Sequence, residues 1–207
     1  MIRHVIFDMD GTLSDTALAT VDACAGVARR FGLEPPGIHA IKAAMGWPSP
    51  GFWRMLWPSL SDVLLAELDP VAEEQESIYV RKLGTDILFP GVPAMLHALR
   101  DRGCTLYIAS TGSPAHVGVT LGASGIAALF DRIECGESDK TGMVGRLLHG
   151  ISPADAIMVG DKQKDADAGR GNGILTVGAG WGYCGPVERP LFDRVLETPE
   201  EMITLVR

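Results

Sequence analysis

The sequence predicts an α/β protein, a mainly parallel sheet covered by helices on both faces and interrupted near its amino end by an all-helical insert. Two observations carry this. Short apolar runs at Arg3-His4-Val5-Ile6-Phe7, Thr105-Leu106-Tyr107-Ile108-Ala109 and Ala156-Ile157-Met158-Val159 each lead into a polar loop and then into helical spacing, the alternation of βαβ units. Between about residues 15 and 84 that alternation stops, and only helical patterns follow one another.

The elements follow in chain order. After Thr16, the residues Ala17, Leu18, Val21, Ala25, Ala28 and Phe31 recur at helical spacing until Gly32 stops them. Ile38 to Met45 is a second helix, and Pro48 to Pro58 carries Phe52, Trp53, Leu56 and Trp57. A long helical pattern runs from about Ser61 to Leu83, and Pro70 is expected to split it because proline donates no amide. Val92 to Arg102 turns Met95, Leu96 and Leu99 inward and ends at Gly103. Helices are expected around Pro114 to Leu121, Met143 to His149 and Asp165 to Arg170, and strands within Phe130 to Cys135 and at Ile174 to Val177. The boundaries that result are residues 1-14 with 85-207 for an α/β core and 15-84 for the helical insert.

At 207 residues, with 46% apolar residues, the chain is long enough to bury a core. A net charge of -8 with no basic stripe argues against nucleic acid as a partner. Cys24, Cys104, Cys135 and Cys184 lack metal-ligand spacing and read as reduced structural thiols of a cytoplasmic protein. No apolar stretch approaches the ~18 residues of a membrane span, so no membrane partner is expected.

The chemistry-bearing residues stand where strands end. Asp8 and Asp10 follow the first run, Ser110 and Thr111 the second, and Asp161 the third. Right-handed crossovers bring such ends to one edge of a parallel sheet, where open α/β sheets bind ligands. Gly11 permits a turn that sets Asp8 and Asp10 side by side, and two close carboxylates call for a proton or a cation between them. Asp8 suits nucleophilic attack, since its charge needs no prior deprotonation, and Asp10 suits proton transfer. Ser110, with the Thr111 and Gly112 amides, offers hydrogen bonds to phosphoryl oxygens, although a Ser-Thr-Gly turn also serves as plain cap chemistry. Asp161 and Asp165 are spaced to face one metal, and Asp165 equally suits a helix N-terminus. Lys162 and Lys164 read as surface charges. Four carboxylates beside a phosphate dianion require a divalent cation, for which magnesium suits an all-oxygen set, and a fixed ammonium. Lys140, in Glu137-Ser138-Asp139-Lys140-Thr141-Gly142, is the ammonium candidate, with a solvent-facing lysine as the competing reading.

These motifs resemble the haloacid-dehalogenase-like hydrolase superfamily, particularly its phosphoglycolate-phosphatase-like branch with a helical cap. Asp8-Met9-Asp10-Gly11-Thr12-Leu13 is similar to the first family motif, Ser110 to the second, Lys140 to the third, and Gly160-Asp161 through Asp165 to the fourth. The resemblance implies a Rossmann-like core whose Asp8 is the nucleophile and whose Asp10 is the general acid and base and lends its backbone carbonyl to magnesium. It further implies that Ser110 binds a phosphoryl oxygen, that Lys140 steadies nucleophile and phosphate, that Asp161 ligates the metal, and that Asp165 supports it directly or through water. Gly11, Thr12, Thr111 and Gly112 join the phosphate site. Many relatives set prolines around the third-motif lysine, and Asp139-Lys140-Thr141-Gly142 departs from that. Residues 15-84 look like a cap closing over the cleft, in which Lys42, Trp47 and Arg54 are candidates for substrate contact. Gly180-Trp181-Gly182-Tyr183 resembles a glycine- and aromatic-containing loop of the same branch. His4, His39, His97, His116 and His149 share no motif and read as structural or surface residues.

The implied reaction is magnesium-dependent hydrolysis of a small phosphate monoester through an aspartyl-phosphate, with phosphoglycolate among the candidates, by a monomer or homodimer. The alternatives are a sugar phosphomutase, a haloacid hydrolase, disfavoured by the Asp10 carboxylate, and a non-catalytic phosphate-binding protein.

Overall fold

The first strand of the sheet ends up at its centre. A computed structural model describes residues 2–206. In it β1 (His4–Phe7) lies between β2 (Thr105–Ser110) and β4 (Ala156–Gly160), and β3 (Arg132–Cys135), β5 (Leu175–Ala179) and β6 (Arg194–Leu196) complete the order β3-β2-β1-β4-β5-β6. Every neighbouring pair is parallel, in registers such as His4↔Thr105 and His4↔Ala156.

Alternate residues of each strand face opposite ways. Val5, Phe7, Leu106, Ile108, Ile157 and Val159 join one core, with Met95, Leu96 and Leu99 of α5 (Val92–Asp101) and Val117 and Leu121 of α6 (Pro114–Ala123). Ile6, Tyr107, Ala109 and Met158 join a second, with Val144 and Leu147 of α7 (Lys140–Leu147) and Ala168 of α8 (Gln163–Gly171). The sheet is therefore covered on both faces, as the near-continuous apolar strands require. Full burial of side chains this size contributes about 1.5–3 kcal/mol each before chain entropy is subtracted.

The insert is all-helical: α1 (Ala17–Phe31), α2 (Ile38–Ala44), α3 (Gly51–Leu56) and α4 (Asp62–Leu83). Gly32 ends α1 in the left-handed region, at φ 65. Pro70 does not split α4, which runs unbroken with proline inside it. Leu65 and Leu68 before the proline and Ala72 and Val80 after it are all buried in the main core, and that shared packing outweighs one missing amide. The long α4 packs along α1 and also reaches α6, so it joins the cap to the core.

Two further differences from the sequence reading matter. The helix expected from Met143 begins at Lys140, because the Asp139 carboxylate accepts from Gly142 N at 2.9 Å and caps it. β6 went unread; it is three residues long, with one exposed and two half-buried positions and no alternation to detect.

Candidate active site

The strand order reverses between β1 and β4, and in sheets of this order the crevice at the reversal is where ligands bind. The Asp8 amide donates to Val159 O at 2.8 Å, carrying the ladder one residue past β1. The chain then turns tightly, with Leu13 N and Ser14 N on Met9 O and Gly11 N on Ser14 O, and Gly11 takes φ 85.

A later loop braces that turn. Tyr183 N donates to Gly11 O at 3.0 Å and Trp181 Nε1 to Thr12 O at 2.8 Å. A β-carbon at Gly182 would stand 1.9 Å from Gly11 O, so only glycine lets the two backbones approach. The Tyr183 hydroxyl donates to the Asp15 carboxylate and accepts from Ala17 N at 3.0 Å, where the chain enters the cap.

Lys140, 5% exposed, is not the solvent-facing lysine of the competing reading. Its Nζ donates to Asp8 Oδ1 at 2.5 Å and Asp165 Oδ1 at 2.6 Å. Burial works against its charge, but Asp165 and Asp8 outweigh it and raise its pKa. Asp165 turns its other oxygen back to the amides of Asp161 and Lys162, at 3.1 and 2.9 Å. A β-carbon on Gly160 would lie 2.2–2.4 Å from three Asp165 atoms, so this fold-back needs a glycine there. Asp161 is fully buried; its Oδ1 accepts from Thr12 Oγ1 at 3.0 Å and its Oδ2 has no hydrogen-bond partner. Lys162 is more than a surface charge, since its Nζ stands 3.7 Å from Asp161 Oδ2 and from Glu188, over the Tyr183 ring.

One oxygen from each of Asp8, Asp161 and Asp165 lies within 4.8 Å of the others, all three residues buried. Burial pushes the Asp8 carboxyl up to about 7, with Asp165 adding to the rise and Lys140 opposing it. Burial, with Asp8 and Asp165, raises Asp161 well above the ordinary range. Lys140 and, at 3.7 Å from Asp161, Lys162 leave three buried carboxylates short of positive charge, and Asp161 Oδ2 takes no hydrogen bond. A divalent cation fits both facts, and the three aspartates are positioned to chelate one.

Ser110 ends β2 in a buried position, and its Oγ accepts from Gly112 N at 3.1 Å. A β-carbon on Gly112 would stand 3.3 Å from Ser110 Oγ and 3.5 Å from Asp10 Oδ2, so this loop and Asp10 share one space. Thr111 Oγ1 donates to Gly46 O of the cap at 3.3 Å. The side chain of Asp10 turns away from the three-aspartate cluster to His116, whose Nε2 is 2.9 Å from its Oδ1.

His116 is the residue that sequence reasoning misplaced. Its Nδ1 is 3.3 Å from Glu76 of α4, so it links Asp10 to the cap. Burial opposes its protonation, yet Asp10 and Glu76 prevail and hold its pKa well above 6.5; in return His116 overcomes the burial of Asp10 and lowers its pKa. The available signal was position, because His116 lies in the first turn of the helix that Ser113 caps, directly after the Ser110 loop.

The cap candidates separate. Trp47 lines a cavity of about 250 Å³ with Asp10, Thr111, Gly112 and His116. Lys42 lies off it, 3.9 Å from Asp15 and 4.5 Å from the Tyr183 ring centre. Arg54 is also off the cavity wall, bound to Asp62 and, at 3.3 Å, to Leu60 O.

A doubly wound α/β core with a helical cap and a buried aspartate cluster placed to chelate a divalent cation is the arrangement of a metal-dependent phosphoesterase. The family profile described as haloacid dehalogenase-like hydrolase matches residues 2–173, and the chain belongs to that family. It is 31% identical over 212 residues to a phosphoglycolate phosphatase of Synechococcus elongatus, covering 99% of this chain and 97% of the relative. A 5'-nucleotidase of Pseudomonas aeruginosa is 25% identical, covering 87% of this chain and 83% of that one. Among solved structures, a haloacid dehalogenase-like hydrolase of Streptococcus pneumoniae superimposes with a TM-score of 0.84 at 22% identity, covering 99% and 98% of the two chains, which shows the shared fold. Among the described residues no helix is long and apolar enough to cross a membrane.

Proposed function

We propose that the protein hydrolyses a small phosphate monoester through a phosphorylated Asp8, with magnesium as its metal. The observation that carries this is the buried Lys140 bridging Asp8 and Asp165 beside a buried Asp161 oxygen that takes no hydrogen bond. The carboxylates of Asp8, Asp161 and Asp165 and the backbone carbonyl of Asp10 would hold the metal, which supplies charge neutralisation and polarises the phosphoryl oxygens.

Lys140 fixes one Asp8 oxygen and leaves the other to attack phosphorus. An O–P bond forms to Asp8 as the ester O–P bond breaks, and the departing oxygen takes its proton from Asp10. That proton is held on the Asp10–His116 pair, whose nitrogen and oxygen stand 2.9 Å apart. Water then attacks the phosphorus of the aspartyl-phosphate, Asp10 accepts the water's proton, and inorganic phosphate leaves. Ser110 Oγ and the Thr111 amide would bind phosphoryl oxygens, and Gly112, Gly11 and Thr12 would join them only by giving up the bonds they make to Ser110 Oγ, Ser14 O and Asp161. The cap keeps bulk water from the intermediate. Phosphoglycolate, the substrate in the name of the Synechococcus relative, is one candidate at this level.

The test is phosphate release from a panel of metabolite phosphates, with magnesium and with a chelator, by the wild type and Asp8→Asn. Metal-dependent release that the substitution abolishes is expected. Full turnover by Asp8→Asn would overturn the assignment.

A further inference from the structure

The cavity beside Asp10 has an electrostatic character that the phosphate site does not. Its cap wall carries Asp69, Glu73 and Glu76, spaced four and three residues apart on one face of α4. The core wall adds Asp10 and His116, and among the described residues no lysine or arginine lines the cavity. Lys42 and Arg54, the candidates to meet a second anionic group, do not line it and stand beside Asp15 and Asp62. Among the described residues that line it His116 is the cationic side chain, and it is already shared between Asp10 and Glu76.

The carboxylates keep acceptor capacity. Asp69 Oδ1 accepts from Trp53 Nε1 at 2.6 Å and Ser49 Oγ at 2.5 Å, and Glu73 Oε1 accepts from Ser113 Oγ. Asp69 Oδ2 and Glu73 Oε2 take no hydrogen bond from any described residue. Beside them stand Phe52 and Trp53, packed edge to face at 4.6 Å, while the Trp47 ring already carries Lys164 Nζ 4.9 Å from its centre. Half-buried carboxylate oxygens open to a cavity beside aromatic rings are the chemistry that binds ammonium groups, and they repel a carboxylate.

We infer that the alcohol released from phosphorus carries a cationic nitrogen: the substrate is the phosphate monoester of a small amino alcohol, not of a hydroxy acid. This rests on the phosphatase reading for which end of the substrate enters the cavity. Phosphorus sits by Asp8 and Lys140, and the amine reaches Asp69 and Glu73 on α4.

Binding to full-length Asp8→Asn protein with magnesium, measured by calorimetry, tests the inference apart from turnover. Ethanolamine phosphate is expected to bind at least about tenfold more tightly than phosphoglycolate, a difference of about 1.4 kcal/mol. In Asp69→Asn/Glu73→Gln, whose amides still accept from Trp53 and Ser113, that advantage falls to about onefold to threefold while affinity for inorganic phosphate is kept. If the double variant loses phosphate binding, Glu73→Gln alone is expected to reduce the advantage. Phosphoglycolate binding as tightly or more tightly overturns the inference, as does an advantage untouched by either variant. Should wild type release phosphate from no ester while the binding preference holds, the hydrolase reading alone falls.

Discussion

Gly160→Ala places one methyl group against the carboxylate that organises the cluster. The added carbon would lie 2.2 Å from Asp165 Cγ and 2.4 Å from Oδ2, so Asp165 must swing out of its seat. It then loses the amides of Asp161 and Lys162 and its bond to Lys140. Each hydrogen bond to a charged group contributes about 1.5–3 kcal/mol, so losing the two amide bonds costs about 3–6 kcal/mol. With a urea dependence of about 2–3 kcal/mol per molar, the unfolding midpoint falls by about 1–3 M. Gly160 has no positive φ, so the loss comes from the contact and not from backbone strain. Urea denaturation followed by circular dichroism, with magnesium affinity measured on the folded protein, reads both effects. An unchanged midpoint and unchanged metal affinity would refute the account of how Asp165 is held.

Gly118→Ala in α6 is the counterpart: a β-carbon there meets nothing within 4 Å, and thermal denaturation should show about 0.5–1 kcal/mol of stabilisation. Asp161→Asn should weaken magnesium binding at least about tenfold in calorimetry, and unaltered affinity would remove Asp161 from the ligand set. The folded pKa of His116 lies above its ordinary value, so its contribution to stability is complete below about pH 6.5 and is lost as the pH rises through the raised value. Destabilisation by His116→Gln should therefore be greatest in acid and shrink toward alkaline pH. A difference flat across pH would show that no charge is involved.

The sheet was legible because three apolar runs each end in the polar residues that chemistry uses, and the parallel order brings Asp8, Ser110 and Asp161 to one edge. Lys140 was not legible from position alone, since a lysine at the start of a helix is ordinarily a surface charge; only its family motif singled it out. His116 escaped because its partners, Asp10 and Glu76, are remote in sequence and belong to different layers. Pro70 misled because a local rule about amides carries no information about the packing that holds both halves of α4. The pairing of Arg54 with Asp62, eight residues on, belongs to the cap's own fold and leaves no mark in the local sequence pattern. The acidic face of α4 was visible as charges in the sequence, and only the fold reveals that it looks inward over the cleft.

The brace from Trp181 to Thr12 spans 169 residues. β1 is made before the strands beside it, the lysine that steadies its aspartate and the aromatic loop that locks its turn. A growing chain therefore carries Asp8 long before it carries the groups that gather around it. The site is complete only once the segment around Trp181 exists, and clipping that segment would release a turn 169 residues away.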